Sequence, residues 1–216
     1  MFDPRAHTSA PDELAGRVIA ITGASGGIGR AVALACAQHQ AQVVLIGRNA
    51  SRLEAVLERY GRLDGLLHNA GMLGTLTPIE HYDVPTWCRV MHVNVTAAFA
   101  LTQVLLPALK KSPDASVVFT ASSVGRRGRA YWGAYAVSKF AIEGLSQVLA
   151  DELEGLSQVR VNTLNPGRAR TNMRRQAYPA ENAETLPLPE SLTAPYLALL
   201  GPASRGVTGQ GFDAQR

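Results

Sequence analysis

Residues 17–38 read RVIAITGASGGIGRAVALACAQ. The first part, Arg17 to Thr22, is mostly apolar and rich in β-branched side chains, the pattern of a buried strand. The turn Thr22-Gly23-Ala24-Ser25-Gly26-Gly27-Ile28-Gly29 follows, and helical composition then continues to about Gln38. Glycines between a strand and a helix let the backbone turn tightly and approach a pyrophosphate at the helix N-terminus. The spacing is TGxxxGxG rather than GxGxxG, and glycines also serve ordinary strand-to-helix turns. Its place directly after the first strand favours a nucleotide site, with Gly23, Ser25, Gly27, Ile28 and Gly29 as candidate cofactor contacts.

Outward from this unit, strand and helix patterns keep alternating, which predicts a parallel sheet covered on both faces. Strands are expected at Gln42–Gly47, Leu63–His68, Ser116–Ala121, Val159–Leu164 and, at an edge, Thr208–Phe212. Helices are expected from about Val84 to Leu109, at Tyr135–Leu153 and at Leu192–Leu200, with helical composition over Ser51–Tyr60. The fold class is α/β, a three-layer, doubly wound Rossmann-like sheet, with residues 1–216 forming one domain. Gly167 to Glu190 has no clear period and is expected to be an irregular substrate lid.

Composition narrows the classes. The chain has 216 residues, 46% hydrophobic and 18% charged, so it carries enough apolar surface for a packed core and is not a disordered chain. Val93 to Leu109 is interrupted by Asn94, Thr96, Thr102, Gln103 and Pro107, which reads as a buried helix and not a membrane span. The start, MFDPRAHTSAPDEL, has no apolar signal region, and Cys36 and Cys88 lack metal-ligand spacing. A cytoplasmic protein without a bound metal is expected. The net charge of +4 comes from scattered arginines, without a nucleic-acid-binding motif. A basic mouth for a phosphorylated cofactor explains it better, and no nucleic acid or membrane partner is expected.

At the end of the second strand an acid would hold the ribose 2′-hydroxyl of NAD, whereas arginine accepts the 2′-phosphate of NADP. The chain has Ile46-Gly47-Arg48-Asn49, which favours NADP(H), although Arg48 also fits a solvated loop.

Tyr135-Ala136-Val137-Ser138-Lys139 puts a phenol and an ammonium on one helix face. A neighbouring ammonium favours phenolate and is expected to lower the tyrosine pKa toward a useful acid/base range. Ser122, thirteen residues upstream, closes an apolar strand, which places it at the carboxyl edge of the sheet, where ligands bind in open α/β folds. Tyr-x-x-x-Lys alone is common. The glycine turn, Asn69-Ala70-Gly71, Asn94, Ser122, Tyr135, Lys139 and Pro166-Gly167, in that order, is a far more specific set.

From about Leu14 to Phe212 the chain resembles the short-chain dehydrogenase/reductase family. GRLDGLLHNAG, VFTASSVGRRGRAYWGAYAVSKFA, VRVNTLNPGRARTNMR and FDAQ are similar to its bacterial YciK-type oxidoreductases. The resemblance implies an NADP(H)-dependent enzyme that interconverts a carbonyl and a secondary alcohol with an Asn-Ser-Tyr-Lys tetrad. It implies that Tyr135 exchanges the proton, Ser122 hydrogen-bonds the substrate oxygen and Lys139 binds the nicotinamide ribose. Asn94 would hold a relay water, Asn69, Ala70 and Gly71 would line the cofactor, and Thr171, after Pro166 and Gly167, would contact the carboxamide. It also implies a homodimer or homotetramer paired through the two apolar helices.

One departure stands out. Only about fifteen residues separate Gly47 from Leu63, where the family has a helix, a strand and another helix. The third strand is expected to be absent, leaving six strands in family order 2-1-4-5-6-7. A right-handed crossover then puts a single helix, Ser51–Tyr60, on the face opposite the first helix. The second strand becomes an exposed edge and half the adenine pocket is left open. The alternative reading is a binding or regulatory relic that kept the fold and lost efficient turnover. Tyr131, Trp132 and Arg168 to Tyr178 are expected to shape the substrate pocket, and Trp87 and Phe99 to lie in the core. Arg126, Arg127 and Arg129 could attract an anionic substrate or simply be solvated.

Overall fold

The computed structural model describes residues 2–47 and 58–215. Six parallel strands form one sheet: β1 (Val18–Thr22), β2 (Gln42–Ile46), β3 (Gly65–His68), β4 (Ser116–Thr120), β5 (Arg160–Asn165) and β6 (Gln210–Asp213). Their spatial order is β2-β1-β3-β4-β5-β6. This is the expected order, with β2 at the edge and six strands among the described residues. All five residues of β1 and of β4 are buried, as central parallel strands require. On β2, Leu45 is 62% exposed, which is the expected consequence of losing the neighbouring strand.

Helices cover both faces. α1 (Gly27–Gln38) and the helix Thr193–Leu200 bury Val32, Cys36, Tyr196, Leu197 and Leu199 against Ile19, Ile21 and Leu164 on one side. On the other side, Leu105, Leu109, Ile142 and Leu149 pack over Ala20, Leu66, Val117 and Val161. Those residues come from two long helices. Val84–Leu109 is continuous: α2 (Val84–Met91), a π-helical segment His92–Thr96, then α3 (Ala97–Leu109). Gly133–Leu153 is α4.

The expected helix Ser51–Tyr60 lies mostly outside the described residues. Residues 58–60 are helical, and Tyr60 packs against the α3–α4 side of the core. That is the face opposite α1, as a right-handed crossover demands.

Two expectations are corrected. Val84–Leu109 is not a wholly buried helix: it is long and apolar enough to cross a membrane by length and composition, and 28% of its most apolar window is buried within the chain. Phe99 is 50% exposed and is no core residue, because it sits on the face of α3 turned away from the sheet. The segment after β5 is also less irregular than its composition suggests. It contains α5 (Asn172–Ala177), N-capped by Thr171, whose hydroxyl accepts from the Arg174 amide at 3.2 Å. The last helix, Thr193–Leu200, is α6.

Candidate active site

The chemistry-bearing residues collect at the carboxyl ends of the strands. Gly23 follows β1, Asn69 follows β3, Ser122 follows β4 and Pro166 follows β5. A parallel sheet concentrates its loops and helix N-termini there, which makes this edge the ligand edge of such folds.

The glycine turn is held in shape by contacts that leave no room for larger residues. Gly23 has φ +69°, and a Cβ on it would stand 2.7 Å from Ala70 Cα. A Cβ on Gly29 would collide with the Gly23 carbonyl oxygen and the Asn69 amide. The Thr22 hydroxyl accepts from the Asn69 and Ala70 amides at 3.0 and 3.1 Å, and Asn69 Nδ2 donates to the Gly23 carbonyl at 3.3 Å. The loop after β3 is thereby fastened to the loop after β1. By contrast, a Cβ on Gly26 meets nothing within 4 Å, and α1 begins there without a side-chain cap. A twelve-residue helix whose first turn has no side-chain cap suits an anion such as a pyrophosphate. Thr171 reaches the same place, its Cγ2 3.3 Å from where a Gly27 Cβ would lie. Ser25 and Ile28 belong to this turn, whereas Arg48 lies outside the described residues.

Tyr135 and Lys139 lie one turn apart near the start of α4, both buried. Lys139 Nζ donates to the Thr120 carbonyl at 2.6 Å and sits 5.6 Å from the centre of the Tyr135 ring. Burial pulls the Lys139 ammonium down to about 8, while Glu143, one turn further along α4, opposes that fall. Burial also pushes the Tyr135 phenol up to about 12, and hydrogen bonding from the Ser122 side chain opposes that rise only in part. The lowering expected from the Tyr-x-x-x-Lys spacing is thus outweighed by desolvation of the phenolate. His68, next to Asn69, offers no alternative acid/base group. Burial takes it down to about 3, and it stacks on Phe119 with Nε2 2.9 Å from the Thr102 hydroxyl.

Asn94 lies inside the π-helical segment, buried. Its Oδ1 accepts from the Met72 amide at 2.8 Å, and its Nδ2 donates to the Met72 carbonyl and to the Ser138 hydroxyl at 3.0 and 2.9 Å. Both amide hydrogens are therefore used in joining the loop after Gly71 to α4, which leaves one Oδ1 lone pair for a further partner. Local π geometry commonly marks functional positions, and here it aims the amide inward.

The family model for short chain dehydrogenases matches residues 17–59 and 53–182. The chain belongs to this family. The oxidoreductase YciK of Escherichia coli is 45% identical, with 94% of each chain covered. That alignment runs over 238 residues, more than the 216 of the chain, so the relative has segments with no counterpart here. The structure of a short chain dehydrogenase from Pseudomonas syringae matches with 48% identity and a TM-score of 0.94, covering both chains completely. A short chain dehydrogenase from Escherichia coli CFT073, solved in complex with NADPH, is 45% identical with a TM-score of 0.88, over 96% of this chain and all of that one.

With the chain placed among short chain dehydrogenases, several supporting residues that the sequence reading passed over stand out. Thr22, Thr120 and Ser138 form the hydrogen bonds that fix Asn69, Lys139 and Asn94. Gln215 donates from Nε2 to the carbonyls of Pro166 and Arg168 at 2.6 and 2.7 Å, latching the loop that carries Thr171. Asp213 assists by accepting from Asn165 Nδ2 at 2.7 Å. Only the recurrence of FDAQ in similar sequences hinted at this latch.

Leu73, Trp132 and Met173 pack around Tyr135. Trp132 and Tyr178 lie 5.9 Å apart, and Arg129 stacks against both while donating to the Tyr178 hydroxyl at 2.6 Å. Arg126 is not available to a substrate, since it is tied to Glu143 and Asp213, both at 3.0 Å. Trp87 is half-buried and packs edge-on to Tyr82 at 5.8 Å.

Proposed function

We propose that this short chain dehydrogenase is a cytoplasmic NADP(H)-dependent reductase of a small carbonyl compound, or a dehydrogenase of the corresponding secondary alcohol. The observation that carries the reading is the convergence of Tyr135, Lys139 and Ser122 beside an open, uncapped helix N-terminus. Solved relatives complexed with NADP and NADPH support the cofactor. When bound, the cofactor supplies or accepts hydride at its nicotinamide.

Each residue then has a defined task. The Tyr135 phenol, held at about 12, is protonated near neutrality and gives its proton to the substrate oxygen. The Ser122 hydroxyl donates to the same oxygen as negative charge develops on it. The Lys139 ammonium stabilises the phenolate that remains, and its two hydrogens not used on Thr120 are free for the nicotinamide ribose. Asn94 keeps the floor of the site in register, with one lone pair for a relay water. Gly23, Ser25, Gly27, Ile28 and Gly29 take the pyrophosphate, Asn69 to Gly71 and Pro166–Gly167 flank the cofactor, and Thr171 holds its carboxamide. Arg48 is the residue for the 2′-phosphate.

The test is a screen of ketones and aldehydes with NADPH, following loss of the reduced-nicotinamide absorbance, with Tyr135→Phe as the control. Turnover of no carbonyl or alcohol by a protein that binds the cofactor would leave a nucleotide-binding relic.

The pH profile should report on Lys139. At saturating NADPH, the reduction rate is expected to fall as pH rises through about 8, where Lys139 loses its charge while Tyr135 stays protonated. Glu143→Gln removes the carboxylate that raises the Lys139 pKa, so the fall should move to lower pH. An unmoved midpoint in that variant would assign the titration to another group.

The exposed apolar faces of α3 and α4 are assigned to contacts between copies of the chain. Phe99 and Val104 on α3, with Val137, Phe140 and Val148 on α4, form apolar surface on outer helices. A homodimer or homotetramer through these faces is expected, and Val148→Glu together with Phe99→Glu should give a folded monomer by light scattering. An unchanged mass would place the interface elsewhere.

A further inference from the structure

At the amino ends of the strands, opposite the candidate active site, four arginines gather around two aspartates. Asp114, just before β4, accepts from Arg17 Nη1 at 3.0 Å, from Arg205 Nε at 3.2 Å and from Arg160 Nη1. Asp64, just before β3, accepts from the Val18 amide at 2.9 Å and from the Ser112 hydroxyl at 2.6 Å, with Arg62 alongside. Three guanidiniums therefore share one carboxylate, and the group as a whole carries excess positive charge. The buried Arg17 and Arg160 are matched by the buried Asp114 and Asp64, so the unmatched positive charge lies on the more exposed Arg62 and Arg205.

A cavity of about 250 Å³ opens on this cluster, lined by Arg160, Arg205, Ser157, Gln158, Thr208 and Glu154 among others. Several of its donors are unused, although Arg160 gives Nη1 to Asp114 and Nη2 to the Gly201 carbonyl. The Arg160 side chain is 6% exposed, and its Nε has no hydrogen-bond partner among the described residues. Arg205 is 69% exposed and among the described residues bonds only through Nε, which leaves both of its terminal nitrogens to donate at the mouth. The Thr208 and Ser157 hydroxyls accept from the Val161 and Val159 amides at 3.0 and 3.3 Å, which leaves their protons to donate. Glu154 and Asp114 are the two carboxylates of the lining and face two arginines, so the free donors and not a net charge would recognise the ligand. Burial, with Arg17 and Arg205 adding to it, draws the Arg160 guanidinium down to about 10, although Asp114 is paired with it.

From this geometry we infer a second ligand site, in which Arg205 and Thr208, backed by Arg160, bind a phosphate-type oxyanion at the end of the sheet remote from the cofactor. A guanidinium with two free nitrogens matches phosphate oxygens in a bidentate fork, and flanking hydroxyls complete such a set. The ligand would be inorganic phosphate or the terminal phosphate of a small molecule, two cases with the same recognition chemistry.

The test is calorimetric titration of the 216-residue chain with inorganic phosphate and with glycerol 3-phosphate, at ionic strength held constant with sodium chloride. Saturable binding is expected. It should weaken about tenfold or more in Arg205→Gln, weaken less in Thr208→Val, and stay unchanged in Arg48→Gln. Because Arg205 is exposed, the first variant should melt near the parent temperature without phosphate, so lost binding would not mean lost fold. Tighter binding of the ester assigns the site to a phosphorylated compound, and tighter binding of phosphate assigns it to the free ion; both support the site. Absence of saturable binding, or equal affinity in Arg205→Gln, overturns it. Loss confined to Arg48→Gln would mean that phosphate enters the cofactor pocket instead.

Discussion

Tyr135→Phe is expected to lower the rate of carbonyl reduction by about 10²–10⁴-fold, the usual contribution of a positioned general acid, while NADPH binding stays within about twofold of the parent. The substitution removes one oxygen from a ring that is already buried, so packing around Leu73, Val124 and Ala136 is kept. Among the described residues the phenol makes no backbone hydrogen bond, and the ring lies 5.8 Å from that of Trp132. A lower kcat with unchanged cofactor affinity identifies a proton donor acting in the transition state. A fall in NADPH affinity as large as the fall in rate would make Tyr135 a structural residue.

The second large effect falls on the glycine turn. Gly23→Ala should destabilise the protein by about 2–5 kcal/mol, from forcing an L side chain to positive φ and from overpacking. For a chain of this size that corresponds to a melting temperature lower by about 4–20 °C. The added Cβ meets Ala70 backbone atoms at 2.7 and 2.8 Å, so relief requires the loop after β3 to move and takes the cofactor contacts of Asn69 with it. Gly26→Ala, only three residues away, has extended backbone and open space, and should melt within about 1–2 °C of the parent while weakening cofactor binding. Equal destabilisation by the two would show that loss of glycine flexibility, not the Ala70 contact, governs the turn.

Much of this was legible in the sequence because it is written in local periodicity. Ser122 closing a strand and Tyr135 with Lys139 on one helix face follow from the two repeat lengths of secondary structure, and both hold in the fold. The six-strand sheet was legible once the resemblance was in hand, because only about fifteen residues lie between Gly47 and Leu63 where the family has a helix, a strand and another helix. What was not legible depends on depth and on distant contacts. The Tyr135 pKa could not be read from its spacing to Lys139, since the controlling factor is how far the phenol is removed from water. Phe99 reads as core because it is aromatic within an apolar helix, and nothing local says which face the sheet covers. The Gln215 latch joins an unpatterned tail to a loop about fifty residues earlier, and no local pattern encodes such a contact. The arginine cluster is dispersed along the chain in the same way. Arg17, Asp64, Asp114, Arg160 and Arg205 meet only because parallel strands bring their amino ends to one edge.

The first measurement is a titration of the purified protein with NADPH and with NADH, followed by quenching of tryptophan fluorescence and by cofactor emission. Saturable NADPH binding in the micromolar range is expected, with NADH weaker by about tenfold or more. Failure of a cooperatively folded sample to bind either nucleotide would contradict the assignment of this chain as an NADP(H)-dependent oxidoreductase.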